Sequence, residues 1–113
     1  MANILLVVPD TDLRKSLEFA LRAEGYDVTW SAGIGAAETP SAFACTVLDH
    51  DAIGADLAEG RAFCEAFWPV ILLSNASVHP LASSAFASVL KPQLGPALIN
   101  ATRAATAARE AAT

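Results

Sequence analysis

The sequence has few basic residues and no long hydrophobic run, and each shortage excludes a broad class of protein. Its 7 lysine and arginine residues are scattered among 12 acidic ones, and the formal net charge is −5 at pH 7. Binding to nucleic acid phosphates needs clustered positive charge, so we expect no direct nucleic acid partner. The longest apolar runs, residues 4–8 and 70–73, are far shorter than the roughly 20 residues that cross a bilayer. No export signal precedes the first run, so we expect a cytoplasmic protein without a membrane segment.

Cysteine is also scarce, which argues against a zinc-stabilised or disulfide-rich fold. The two cysteines, Cys45 and Cys64, belong neither to a Cys-x-x-Cys pair nor to a group of cysteine and histidine residues. Both stand inside predicted elements, where a free cysteine usually acts as a small buried apolar side chain. We therefore interpret both as core residues of a protein in a reducing compartment.

What the sequence has in abundance is hydrophobic residues, at 54% of its 113 positions. A chain of this length forms one domain with a substantial core, here residues 1–113. Five runs of strand length are apolar, β-branched or alternating, and they predict strands at residues 3–8, 26–30, 43–48, 69–73 and 88–90. The central run, 43–48, leads straight into Asp49.

Helix signals lie between these runs. Thr11 or Asp12 can cap a first helix that Gly25 ends. Asp56 can cap a second helix at residues 57–67, and Pro96 suits the first turn of a last helix that runs to about residue 111. A weaker pattern allows a short helix at residues 34–38. Strands alternating with helices predict a flavodoxin-like, doubly wound α/β fold: a three-layer sandwich around a five-stranded parallel sheet of order 2-1-3-4-5.

Four polar side chains follow four of the predicted strands. Asp10 follows the first strand, Asp49 the third, Ser74 the fourth and Lys91 the fifth. In the order 2-1-3-4-5 these strands are successive neighbours, so the four side chains converge on one crevice at the carboxyl edge of the sheet. Carboxylates there would hold Mg²⁺. A lysine and a hydroxyl beside a carboxylate would bind a phosphoryl group attached to it.

With these features the chain resembles, over essentially its whole length, the receiver domain of two-component response regulators. The matching segments are residues 4–10, 13–14, 25–26, 46–49, 69–74 and 90–92. The resemblance implies that Asp49 accepts a phosphoryl group from a phosphohistidine and that Asp10 helps to bind Mg²⁺. It also implies that the Ser74 hydroxyl senses the phosphoryl group and that Lys91 pairs with it.

The sequence departs from the receiver pattern at three places. Receivers normally have two acids after the first strand, and Pro9 replaces the first of them, so we expect weak Mg²⁺ binding. Asp51 stands where the family uses a backbone carbonyl, and its side chain either compensates as a metal ligand or is merely solvated. The segment between Ser74 and Lys91 is short, which predicts a stunted fourth helix, and its aromatic switch position is occupied by Ser88.

The resemblance implies a signalling protein and not an enzyme, apart from its own phosphorylation and dephosphorylation. Its expected partners are a sensor histidine kinase or phosphotransfer protein and a downstream protein, and residues 97–113 offer a face for a partner or for a homodimer. The alternative is a pseudo-receiver that serves as an interaction module without phosphorylation. In that case Asp10 could simply cap the first helix. We interpret His50 as a residue at the rim of the crevice and His79 as a turn residue.

Overall fold

The chain folds into one five-stranded sheet with helices on both faces. The computed structural model describes residues 2–34, 42–54, 56–75, 79–91 and 95–112. The strands are β1 (Asn3–Val7), β2 (Asp27–Ser31), β3 (Cys45–Asp49), β4 (Val70–Ser74) and β5 (Ala87–Leu90). The helices are α1 (Thr11–Ala23), α2 (Leu57–Ala66) and α3 (Gly95–Ala112). A 3₁₀-helix, His50–Ala52, follows β3 directly.

All neighbouring strands are parallel, in the order β2-β1-β3-β4-β5. This confirms the predicted fold class. The strand bounds differ from the predicted ones by one or two residues. Two shifts matter for the site, because β3 includes Asp49 and β4 includes Ser74 as their last residues.

Two hydrophobic cores lie on opposite faces of the sheet, which makes three layers. On one face, Leu17 and Leu21 of α1 and Leu98 of α3 pack against the strands. On the other face, Phe63 and Cys64 of α2 pack against them. The strands β3 and β4 are buried throughout because helices cover both of their faces.

The helix ends follow local rules, with one correction. Asp10, and not Thr11 or Asp12, caps α1: its Oδ1 accepts hydrogen bonds from the backbone N–H groups of Asp12 at 2.9 Å and Leu13 at 3.1 Å. The reason is that Asp10 has the extended backbone of a cap residue, whereas the helix already begins at Thr11. Gly25 lies just beyond the end of α1, as predicted, with a φ of 94° that favours glycine.

The second helix begins as predicted, since Asp56 accepts hydrogen bonds from the N–H groups of Ala58 and Glu59. Between β4 and β5 the short segment predicted a stunted helix, and the described residues 79–86 form turns instead of a helix. The predicted short helix at residues 34–38 lies outside the described residues, except for Ile34. Within the described ranges, no helix is both long enough and apolar enough to span a membrane.

Candidate functional site

The polar residues of the predicted site stand at the carboxyl ends of β3, β4 and β5. Asp49 ends β3 and lies beside Leu73 of β4, and Ser74 ends β4 beside Leu90 of β5. Lys91 is the residue directly after Leu90, the last residue of β5. The hydrophobic runs favour this placement, because β3 and β4 are buried up to their last residues, whereas β5 is only partly buried.

Asp49 is a fully buried carboxylate. Its Oδ1 lies 2.7 Å from the Lys91 Nζ and accepts a hydrogen bond from the Asp51 backbone N–H at 3.1 Å. Its Oδ2 is also buried and has no hydrogen-bond partner among the residues that the structure describes. A buried charged oxygen normally has a partner, so Oδ2 is the atom of this crevice most in need of a cation or donor.

Lys91 bridges two carboxylates. Besides Asp49 it donates to Oδ2 of Asp51 at 2.9 Å. The Lys91 side chain is 17% exposed and that of Asp51 is 59% exposed, so the lysine joins a buried acid to one at the surface. Burial would lower the pKa of Lys91, but its hydrogen bonds to Asp49 and Asp51 outweigh burial and raise it. The hydrogen bond from Lys91 in turn lowers the pKa of Asp51. Both groups are therefore charged at neutral pH.

The contact between Asp51 and Lys91 is the feature of the site that sequence reasoning missed. The sequence left Asp51 as either a metal ligand or a solvated acid, whereas its side chain forms an ion pair. No local pattern signals this contact, because 40 positions separate the two residues. A role of Asp51 as a metal ligand stays a prediction.

The remaining predicted residues are Asp10 and Ser74. Asp10 is exposed at the end of β1, the neighbour of β3, and its Oδ1 is engaged in capping α1. Ser74 is 2% exposed at the end of β4. Pro9, where the receiver pattern has an acid, is exposed. Metal binding by Asp10 and phosphoryl binding by Ser74 stay predictions.

Two histidines border the crevice. His50 lies in the 3₁₀-helix between the two acids, half-buried, with its Nε2 3.5 Å from Oδ1 of Asp51. The ring of His79 meets the His50 ring edge to face, at 6.0 Å between centroids. The Nδ1 of His79 accepts a hydrogen bond from the Leu81 N–H at 3.1 Å.

The donors in this crevice fit a divalent cation. Asp49, His50 and Asp51 each offer a donor atom, and these atoms lie within 4.8 Å of one another. They form the single such group within the described ranges. The buried Oδ2 of Asp49, which has no partner in the part of the chain that the structure describes, is the observation that favours a cation here. Carboxylate oxygens are the ligands that Mg²⁺ prefers in proteins.

No protein-family model matches the sequence, and no curated protein matches it. Solved structures do match the fold. A response regulator receiver domain protein from Clostridium thermocellum has a TM-score of 0.81 at 18% identity, over 100% of both chains. A putative response regulator from Chloroflexus aurantiacus has a TM-score of 0.77 at 20% identity, over 94% of this chain and 98% of that one.

A third similar structure is the receiver domain of the sensor histidine kinase PA1611 from Pseudomonas aeruginosa. Its TM-score is 0.73 at 17% identity, over 94% of this chain and 98% of that one, and it has a magnesium ion coordinated in its active site cleft. At these identities the likeness establishes the fold. The five parallel strands of this chain and their order agree with that fold. The chain therefore has the fold of the response regulator receiver domains.

Proposed function

We propose that this chain is a two-component signalling receiver that accepts a phosphoryl group on Asp49. The donor would be the phosphohistidine of a sensor histidine kinase or of a phosphotransfer protein. One observation carries the proposal: a fully buried carboxylate has a lysine 2.7 Å from one oxygen and no described partner on the other. The lysine balances the charge of this carboxylate, and the second oxygen can still bond to an incoming group.

The transfer requires few groups. A carboxylate oxygen of Asp49 forms a bond to phosphorus while the bond from phosphorus to the donor histidine nitrogen breaks, and the imidazole leaves. Positioning and charge stabilisation dominate such transfers, because charge is spread over the phosphoryl oxygens. The Lys91 ammonium and the Ser74 hydroxyl at the neighbouring strand ends would bind those oxygens.

Mg²⁺ would be held by Asp49 and Asp51, with Asp10 as a further candidate at the end of β1. When bound, the ion supplies positive charge to the phosphoryl oxygens. The exposed Pro9 contributes no side-chain oxygen, and Asp10 already uses Oδ1 for the helix cap. We therefore expect Mg²⁺ binding to be weak.

The phosphoryl group would signal through Lys91. In the structure Lys91 holds Asp51 and, through it, the 3₁₀-helix His50–Ala52. A phosphoryl group on Asp49 competes for the same ammonium, which weakens the contact to Asp51 and frees that segment to rearrange. We propose that a downstream protein or a second copy of the chain, in the cytoplasm, recognises the rearranged surface.

The test is the intact mass of the protein after incubation with Mg²⁺ and a small acyl phosphate. We expect one added phosphate on the wild type and none on Asp49→Asn. Asp56→Asn is the matched control: it makes the same change at an exposed acid whose side chain caps α2, and it should be labelled like the wild type. Labelling of Asp49→Asn would contradict the assignment of the acceptor. No labelling of any variant would favour the phosphorylation-independent interaction module.

A further inference from the structure

The crevice contains a nitrogen donor as well as carboxylates. Among the three donors that lie within 4.8 Å of one another, His50 contributes imidazole nitrogen. Its Nε2 is buried and makes no hydrogen bond to any described residue. The distance of 3.5 Å from this nitrogen to Oδ1 of Asp51 is too long for a good hydrogen bond. This nitrogen therefore lies near a carboxylate oxygen but makes no good hydrogen bond to it.

Lys91 contacts one oxygen of each acid, and each acid has a second oxygen beside these donors. Its ammonium holds Oδ1 of Asp49 and Oδ2 of Asp51. The other oxygens are Oδ2 of Asp49, which is buried and has no hydrogen-bond partner among the described residues, and Oδ1 of Asp51, which faces His50. Two carboxylates and one ammonium leave a net charge of −1, which attracts a divalent ion.

His79 is not an equivalent donor, although its ring is next to that of His50. Its Nδ1 accepts the hydrogen bond from the Leu81 N–H. In a neutral imidazole the second nitrogen then carries the proton, so Nε2 is a donor and not a metal ligand. The ligand set is therefore one imidazole and two carboxylates.

We propose that Asp49, His50 and Asp51 form a site for a first-row transition-metal ion such as Zn²⁺ or Co²⁺. Imidazole suits these ions, whereas Mg²⁺ prefers oxygen ligands and gains little from a histidine. Three protein ligands leave coordination positions open, as in catalytic zinc sites, where a water or a phosphoryl oxygen can bind. The inference concerns the crevice of the proposed receiver function, but its test needs no phosphoryl donor.

The experiment is calorimetric titration of the whole chain with Zn²⁺ and separately with Mg²⁺, in the wild type, His50→Gln and His79→Gln. Loss of a residue that only supports a metal ligand costs about 10- to 100-fold in affinity. Loss of His50 as a ligand should therefore weaken Zn²⁺ binding at least tenfold while Mg²⁺ binding changes less than about twofold. His79→Gln should bind both ions like the wild type. Co²⁺ in place of Zn²⁺ gives an absorption spectrum that reports the donor atoms.

Three results would overturn the proposal. The first is that His50→Gln binds Zn²⁺ as tightly as the wild type. The second is that His79→Gln loses as much Zn²⁺ affinity as His50→Gln. The third is a thiolate charge-transfer band with Co²⁺, which would place the metal on Cys45 or Cys64. Asp49 phosphorylation is measured by mass with Mg²⁺ alone, so the receiver function can fail while the metal site stands, and the reverse also holds.

Discussion

At the scale of single residues, the site depends on one buried charge. Transferring a carboxylate from water to the interior costs several kcal/mol, and the attraction to Lys91 offsets that cost only while the pair is intact. Asp49 is fully buried and Lys91 is partly buried, whereas Asp51 is mostly exposed. The two carboxylates therefore contribute very differently to stability although one lysine holds both.

We expect Lys91→Met to lower the free energy of unfolding by about 3 kcal/mol, because it leaves Asp49 buried without a counter-charge. Asp51→Asn should cost less than about 1 kcal/mol, as for other exposed ion pairs. Urea denaturation measures both. Lys15→Met on the exposed side of α1 is the matched control and should be nearly neutral. A Lys91→Met variant as stable as this control would mean that the ion pair stabilises nothing.

The sequence predicted where the site residues stand but not how they pair. Asp49, Ser74 and Lys91 follow hydrophobic runs whose ends are visible in the sequence, so their common edge could be predicted. The ion pair between Asp51 and Lys91 could not, since it depends on how far a lysine side chain reaches across β4. The cap of α1 was also ambiguous, because Asp10, Thr11 and Asp12 are all residue types that cap helices.

At the scale of elements, neighbouring side chains approach the backbone of α2 closely at Gly60. A Cβ added there would lie 2.7 Å from the Leu81 Cδ1 and 3.0 Å from the Ile53 Cγ2. Glycine normally weakens a helix interior by about 1 kcal/mol relative to alanine. Its presence in the middle of α2 is explained by the approach of the segment after β4, which packs on this helix through Leu81.

Gly60→Ala should destabilise the protein by about 1 kcal/mol, since overpacking costs roughly 1–3 kcal/mol and the helix gains back up to about 1. Gly95→Ala, at an open position in the first turn of α3, should instead be neutral or stabilising. Thermal denaturation of the two variants makes the comparison. If both substitutions shifted the melting temperature upward, the contact of Gly60 with Leu81 would not be a real constraint.

The elements themselves could largely be predicted from local patterns. Strand runs of four to six apolar or β-branched residues, helix caps and Gly25 each have a short-range signal. The segment between β4 and β5 has no such signal, apart from its shortness and Pro80, and the sequence predicted only that a helix there would be stunted. Its packing on α2 depends on contacts between distant residues, which no local pattern encodes.

At the scale of the whole molecule, the two cores each contain one free thiol. Cys45 belongs to the core that α1 and α3 cover, and Cys64 to the core under α2. Burial raises the pKa of Cys45 from 9.0 to about 12 and also raises the pKa of Cys64. A buried thiol keeps its proton in the folded protein at a pH where the unfolded chain has already lost it.

The stability of the fold should consequently fall at alkaline pH. A raised folded-state pKa contributes stability that is complete below about pH 9 and is lost as the pH rises toward 12. Between about pH 8 and pH 10, Cys45 alone should lower the free energy of unfolding by on the order of 1 kcal/mol. Urea denaturation of the wild type and of Cys45→Ala at both pH values measures this. An equal pH dependence in the two proteins would contradict the prediction.

The ion pair between Lys91 and Asp49 joins the centre of the sheet to a residue that is synthesised much later. The acid lies in the central strand, and its counter-charge arrives 42 positions later, after the last strand. A chain that ends early, through interrupted synthesis or proteolytic clipping, would have to bury Asp49 without compensation. Such fragments would stay unfolded and be open to degradation. The stability of the fold and the geometry of the site would then depend on the same two charges.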